Sequence, residues 1–399
     1  MTPMRPHASM RLTRRAALLG LSTACVLGRS ALALAAAPTE KRLVVVLLRG
    51  ALDGLAAVAP YGDADLAALR PGLAGGQPGQ PGGVLDLGGF FGLHPALAGL
   101  HGLYGAGQML AVHAVAGPTR SRSHFDAQDC LESGADRRMD SGWLNRAVLA
   151  MPGRKPGALA VGVQVPLLLR GPAAVATYAQ PASAAPAPEL LARVADLLHD
   201  DPLLGPAVAE GLRDRGFSHD TLAGMERTVP GGNPFAALAG AAGRLLAAAD
   251  GPRVAAMEVG GWDTHANQAG RLVGPLRALD AGLLALRDGL GGAWGQTAVL
   301  VMTEFGRTAR VNGTGGTDHG TGSAAFVLGG AVAGGRVLAD WPGLGAGRLH
   351  EGRDLAPAAD LRAVAAGLLV GHLGVPAAAL AGVFPGWGGT GGMAGLLRA

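Results

Sequence analysis

Five polar residues in one glycine-rich loop are the first sign of chemistry in this sequence. Glu304, Arg307, Arg310, Asp318 and His319 follow the apolar, β-branched run 297–302 and precede a second apolar run at 324–328. Carboxylates and imidazoles are ordinary ligands of divalent cations, and arginines offset charge on a transferring phosphoryl or sulfuryl group. A second set, Asp263 and His265, stands in GGWDTHANQ directly after the apolar run 254–259. One residue apart on an extended segment, both side chains fall on one face, which suits two ligands to one cation. The competing reading has Asp263 capping the next helix and His265 incidental. Asp53 is a third acid, in LRGALDGL after the run 43–48, although Asp-Gly is also a common turn pair. A hydroxyl candidate lies in PTRSRSHFD, where Ser121 or Ser123 beside Arg122 would open a helix and could act as a nucleophile. Ser123 with Asp126 three residues on also reads as a helix cap that needs no chemistry.

These residues need elements to hold them. The runs 43–48 and 297–302, and 254–259 apart from Glu258, are short continuous apolar or β-branched stretches, as strands buried on both faces of a parallel sheet are. An acid at or just beyond the carboxyl end of each lies where open α/β sheets form their ligand crevice. A further strand is expected at 109–115, with His113 inside an apolar alternation as a packed structural histidine. Helices are expected at 95–104, 141–151, 267–290 and 360–373. The Pro- and Gly-rich stretch 70–89 reads as a surface loop, and 171–188, rich in Ala and Pro, as a linker. Three helical periodicities without an intervening strand mark 187–250 as a helical insertion.

Composition narrows the class. The chain has 399 residues, 49% of them hydrophobic, enough for a sizeable core, and the 16% charged fraction argues against disorder. Its net charge of +4 is concentrated at one end. Arg5, Arg11, Arg14, Arg15 and Arg29 precede Pro38 with no acid among them; taking these five from 33 leaves 28 basic against 29 acidic residues. No basic stripe points to nucleic acid or anionic lipid. Thr13-Arg14-Arg15, the apolar run 16–27 and small residues at 31–37 form the three-part layout of an export signal. The paired arginines favour the twin-arginine route, whose translocation machinery would be a partner, over an ordinary secretory signal. Residues 1–37 are then the leader and 38–399 the mature, periplasmic or otherwise exported chain. That route carries folded cargo, often already metal-loaded, which mildly favours a metal site. No later stretch reaches the ~18 unbroken apolar residues of a transmembrane helix. Beyond the leader Cys130 is the only cysteine, which excludes an intramolecular disulfide and a cysteine-based zinc site.

The segments LVVVLLRGALDGL, SRSHFDAQD, GGWDTHANQ, TEFGRTARVNGTGGTDHG and DWPGL, in this order, resemble the exported bacterial domain-of-unknown-function 1501 family from Leu43 to about Pro385. That family in turn looks like a distant branch of the alkaline phosphatase and sulfatase superfamily. The resemblance implies an α/β fold: a three-layer α/β/α sandwich, alkaline-phosphatase-like, with a mostly parallel central sheet and metals at the carboxyl ends of its strands. Carried over residue by residue, it implies Asp53, Asp263, His265, Glu304, Asp318 and His319 as metal ligands. It puts Ser121 or Ser123 in the nucleophile region and Arg122 or Arg307 on the transferring group. The implied cofactor is a divalent metal, with Zn, Mn or Fe suited to the histidines and Mg or Ca to carboxylates alone. Where the superfamily's phosphatases present an adjacent Asp-His pair, this chain has Glu304-Phe305, which allows one metal or none. The expectation is a metal-dependent hydrolase of phosphate or sulfate esters, small or polymeric. The alternative is a non-catalytic envelope or surface-assembly protein that keeps the fold.

Overall fold

The computed structural model describes residues 40–152, 157–179, 188–198, 201–202, 204–222, 233–389 and 391–398. The leader expected over 1–37 lies outside the described residues. Nine strands form one sheet: β1 (Arg42–Arg49), β2 (Met109–Ala116), β3 (Ala158–Val161), β4 (Val175–Tyr178), β5 (Val254–Gly260), β6 (Thr297–Thr303), β7 (Ser323–Leu328), β8 (Arg336–Leu338) and β9 (Ala359–Asp360). Their spatial order is β8-β2-β7-β6-β1-β5-β3-β4, with β9 also paired to β2. Every pairing is parallel except the two made by β7, which is antiparallel to β6 and β2. The protein is thus mixed α/β around a large, mostly parallel sheet.

The centre of that sheet explains the unbroken apolar runs. Along β1, Leu43, Val45 and Leu47 enter one core with Trp143, Leu144 and Leu369. Val44, Val46 and Leu48 enter another with Leu245, Leu276, Leu279 and Leu286. Helices Trp143–Ala150 and Leu361–Gly371 supply the first, and Pro234–Ala247 and Val273–Leu290 the second. With both faces dry, alternation would place polar groups in a core, so 43–48 is apolar throughout. Each fully buried side chain of this kind contributes roughly 1.5–3 kcal/mol.

Among the described residues of 188–247 all regular structure is helical, in Pro188–Leu198, Leu204–Thr221 and Pro234–Ala247. The last of these is capped by Asn233, whose Oδ1 accepts from Phe235 and Ala236 N–H, and belongs to the helical layer over the sheet. The stretch 171–188, expected to be a linker, contains β4. A short edge strand needs one partner only, and small residues suffice against β3. The expected helix at 267–290 is divided into Gln268–Arg271 and Val273–Leu290.

One topological fact positions the site. Because β7 runs against its neighbours, its amino end shares an edge with the carboxyl ends of β1, β2, β5 and β6. The chain leaving four strands and the chain entering a fifth therefore meet above that edge. Register sets the neighbours: Leu48 lies opposite both Val259 and Thr303, so Arg49 comes level with Glu304 and the next amide, Gly50 N–H, reaches the Glu304 side chain.

Candidate metal centre

Four side chains converge above this edge from three connections. His124 opens the helix after β2, Asp263 and His265 follow β5, and His319 lies on the approach to β7. The Oδ1 of Asp263 is 2.9 Å from His265 Nε2, 3.2 Å from His319 Nε2 and 3.6 Å from His124 Nε2. His265 Nε2 and His319 Nε2 are 3.0 Å apart. His124, Asp263 and His319 can each place a ligand atom within 4.8 Å of the others. Ligands about 2.0–2.1 Å from a tetrahedral zinc are about 3.3 Å from one another. The observed spacings bracket that value.

The outward nitrogens of the three rings sharpen the point. His124 Nδ1 meets Glu304 Oε1 at 2.8 Å, His265 Nδ1 meets Asp318 Oδ1 at 3.3 Å, and His319 Nδ1 meets the Arg122 carbonyl at 2.8 Å. A carbonyl or carboxylate oxygen only accepts, so each Nδ1 must donate. In neutral rings each Nε2 then presents a lone pair toward the Asp263 carboxylate, an arrangement a cation would relieve, although His265 Nε2 also meets Arg307 Nη1 at 3.4 Å. His124 Nε2 is also buried without a hydrogen-bond partner. Histidine ligands to metals are ordinarily oriented in this way, by an oxygen acceptor on the far nitrogen.

The surrounding backbone holds these groups rigidly. Glu304 is 2% exposed; its Oε1 accepts from Gly50 N–H at 2.8 Å and Gln128 Nε2 at 3.0 Å, and its Oε2 from the Thr303 hydroxyl at 2.9 Å. Gly50 has φ +119°, and a Cβ there would stand 2.9 Å from Asp263 N, so only glycine lets the β1 and β5 tips approach this closely. The segments around Arg307 and His319 pair as a short antiparallel bridge, and Thr317 N–H reaches the Thr264 carbonyl at 3.3 Å, tying the glycine-rich loop to the Asp263 loop. Asn312 Nδ2 donates to both the His265 carbonyl (2.9 Å) and Asp318 (3.0 Å).

The charges follow from these contacts. Burial drives the Glu304 carboxyl upward, but the hydrogen bonds from His124, Gln128 and Gly50 outweigh it and hold the group below its ordinary range. The same Glu304 bond raises His124 against desolvation. Asp263 is held low despite partial burial by Arg307 and His265. His319 is pushed down, chiefly by desolvation, with the neighbouring His124 adding to the effect. Asp318 is held low by the Asn312 amide and then His265.

The other expected site residues take different places. Glu304 and Asp318 stand one layer out, as the acceptors that orient His124 and His265. Asp53 is 1% exposed and fully engaged: Arg70 Nη1 at 2.7 Å and Gln268 Nε2 on one oxygen, Ala56 N–H at 3.1 Å on the other. Arg307, 1% exposed, places Nη2 2.7 Å from Asp263 Oδ1 and bonds the carbonyls of Ala51, Trp262 and Thr317. The Arg122 guanidinium is bound to Asp354 at 2.6 and 2.9 Å and to Glu351 at 2.6 Å; only its carbonyl serves the cluster. Ser123 Oγ caps its helix by accepting from Asp126 N–H at 3.4 Å, and Ser121 Oγ accepts from Ser123 N–H at 3.2 Å. His124, which reasoning from the sequence did not single out as a ligand, joins the centre. The signal for it was its place at the first turn of a helix following a buried strand.

A large, mostly parallel α/β sheet with an imidazole and carboxylate cluster at one edge defines a protein with a candidate metal centre in its strand-end crevice. The family model described as "Protein of unknown function (DUF1501)" matches residues 106–380, and the chain belongs to that family. No curated protein matches the sequence.

Proposed function

We propose that this chain is an exported, metal-dependent hydrolase of phosphate or sulfate esters, with an alkaline-phosphatase-like three-layer fold and one cation per site. The supporting observation is the convergence of three Nε2 atoms on Asp263 while every Nδ1 is held by an oxygen. His124, His265, His319 and Asp263 would hold the ion. Three nitrogens favour Zn, Mn or Fe over Mg or Ca. A divalent ion there would supply Lewis-acid polarisation of an ester oxygen and activation of a water.

The remaining roles belong to the chain itself. Glu304, Asp318 and the Arg122 carbonyl fix the three tautomers. Arg307 is a permanent cation 2.7 Å from Asp263 and 3.4 Å from His265 Nε2, and so occupies space a second metal would need. It keeps Asp263 ionised and offsets charge on the transferring group. Half-exposed Asp263 opens the cluster to an ester from solvent. With Ser123 serving as a cap, water is the proposed attacking group. A second reading, a non-catalytic envelope or binding protein, is favoured by the engagement of the Arg122 guanidinium with Asp354 and Glu351, which leaves one fewer clamp for an oxyanion.

The test is elemental analysis of the exported full-length chain alongside turnover of a panel of aryl phosphates and sulfates. Near-stoichiometric metal and turnover, both lost in an Asp263→Ala, His265→Ala double variant, support the hydrolase. Metal without turnover supports the second reading, and absence of both removes the metal centre.

A further inference from the structure

Beside the cluster, above the ends of β1, β5 and β3, lies a cleft of ≈ 540 Å³. That volume is in the range of small-molecule sites. Its wall toward the cluster is Gln128, whose Nε2 donates to Glu304 and whose Oε1 accepts from Arg49 Nη1 at 3.2 Å. The cleft and His124 are therefore linked by hydrogen bonds through Gln128 and Glu304.

The lining is balanced in total charge, three guanidiniums against three carboxylates, but not in pairing. Arg49 is bound to Glu132 at 2.6 Å and to Glu258, and Arg138 to Asp129 at 2.9 Å, so two guanidiniums hold all three carboxylates. Exposed Arg170 has no carboxylate partner among the described residues; its Nε donates to the Val165 carbonyl at 3.1 Å. Arg170 is thus the one guanidinium of the cleft whose outer N–H groups are not taken up by a carboxylate. At its rim Phe125, next in the chain to His124, is 84% exposed, and nearby Val163 is 78% exposed. An aromatic ring left in water beside a cleft marks a surface that gains by being covered.

We infer that this cleft binds the non-reacting part of the substrate, an aromatic or other flat apolar group bearing a second anionic substituent, with the apolar face on Phe125 and the anion on Arg170. The inference deepens the hydrolase reading by naming a substrate class, namely anionic aryl or similarly amphipathic esters. Guanidinium suits carboxylate, sulfate or phosphate substituents alike through paired N–H donors. Both anchors lie outside the metal cluster, so binding here is separable from chemistry.

The experiment measures binding, which keeps it independent of turnover. Calorimetric or NMR titration of the full chain compares 4-hydroxybenzoate with phenol. The expected result is about tenfold tighter binding of the carboxylate, the gain of one charge-assisted hydrogen bond. That preference disappears in Arg170→Gln and survives in Asp263→Ala, and Phe125→Ala weakens both ligands. Equal affinity, no binding of either ligand, or a preference lost in Asp263→Ala and kept in Arg170→Gln overturns the inference. Arg170 and Phe125 are exposed, so their variants fold, and matching circular dichroism and melting temperature check this. If the site proves to bind metal without hydrolysing any ester, the binding difference still stands or falls by itself.

Discussion

Replacing Glu304 by glutamine tests the outer layer of the centre without removing a ligand. The amide has the shape of the carboxylate. Its oxygen can accept from Gly50, Gln128 and His124, and its NH₂ can donate to Thr303 Oγ, whose proton then turns from position 304 to the Leu48 carbonyl at 3.0 Å. The fold is therefore kept, and the loss is of charge: bonds to an ion, each about 1.5–3 kcal/mol, become neutral ones of about 1. The larger effect falls on metal. Outer partners of histidine ligands typically change affinity 10- to 100-fold. At a zinc concentration 100-fold above the wild-type dissociation constant, binding stabilises the native state by about 2.7 kcal/mol. The variant would retain roughly 0.4–1.4 kcal/mol of that gain. At about 2 °C per kcal/mol for a chain of this size, zinc raises the wild-type melting temperature by about 5 °C and the variant's by about 1–3 °C. Thermal unfolding with zinc and with chelator measures both. An equal rise in the two proteins would falsify the role given to Glu304 and, with it, the identification of His124 as a ligand.

Three further outcomes follow from the same contacts. Asp53→Ala leaves the Arg70 guanidinium buried without its counter-ion and costs roughly 3–5 kcal/mol, read by denaturant unfolding, while the zinc-dependent gain persists; loss of that gain would restore Asp53 to the ligand set. Ser123→Ala removes a helix cap at a cost of about 1 kcal/mol and leaves ester turnover in place, whereas loss of turnover at unchanged metal content would make Ser123 the nucleophile. His113 is fully buried, with Nε2 donating to the Val58 carbonyl at 2.8 Å and Nδ1 accepting from Ala114 N–H at 2.8 Å, and desolvation lowers it to about 4. The folded state then resists a proton the unfolded chain accepts at about 6.5, so stability is full above that pH and falls between about 6.5 and 4 by about 3 kcal/mol. His113→Gln flattens that part of the acid limb in melting curves, and an unaltered slope would place the titration elsewhere.

Much of the scaffold was legible because burial on two faces leaves a simple signature. The runs at β1 and β6 have no charged interruption and β5 has only Glu258 near its carboxyl end, a pattern that suits the centre of a covered sheet. The strand-end acids and imidazoles could be found for the same reason. Which atom meets which could not, because spacing along the chain carries no distance across it. Glu304 and Asp318 have the composition of ligands and the position of supports, and the difference rests on a few ångströms between loops from different strands. Asp53 finds Arg70 seventeen residues on through a return of the chain over 54–69 that nothing in its composition announces. His124 was concealed by its setting, since a residue after Ser123 at a helix start looks like part of a cap. β4 was hidden by alanine and proline, which read as a linker until a neighbouring strand supplies the hydrogen bonds.

The reversed direction of β7 has a consequence for how such a protein could diversify. The excursion between Thr303 and Ser323 starts and finishes on the same rim, so its two feet are clamped to the sheet while its interior makes no strand-to-strand journey. Its exposed turn at 313–315 can lengthen or shorten without displacing either foot. Within one frame, the share of the site carried by Glu304, Arg307, Asp318 and His319 becomes a cassette, while His124, Asp263 and His265 stay with the other strand ends.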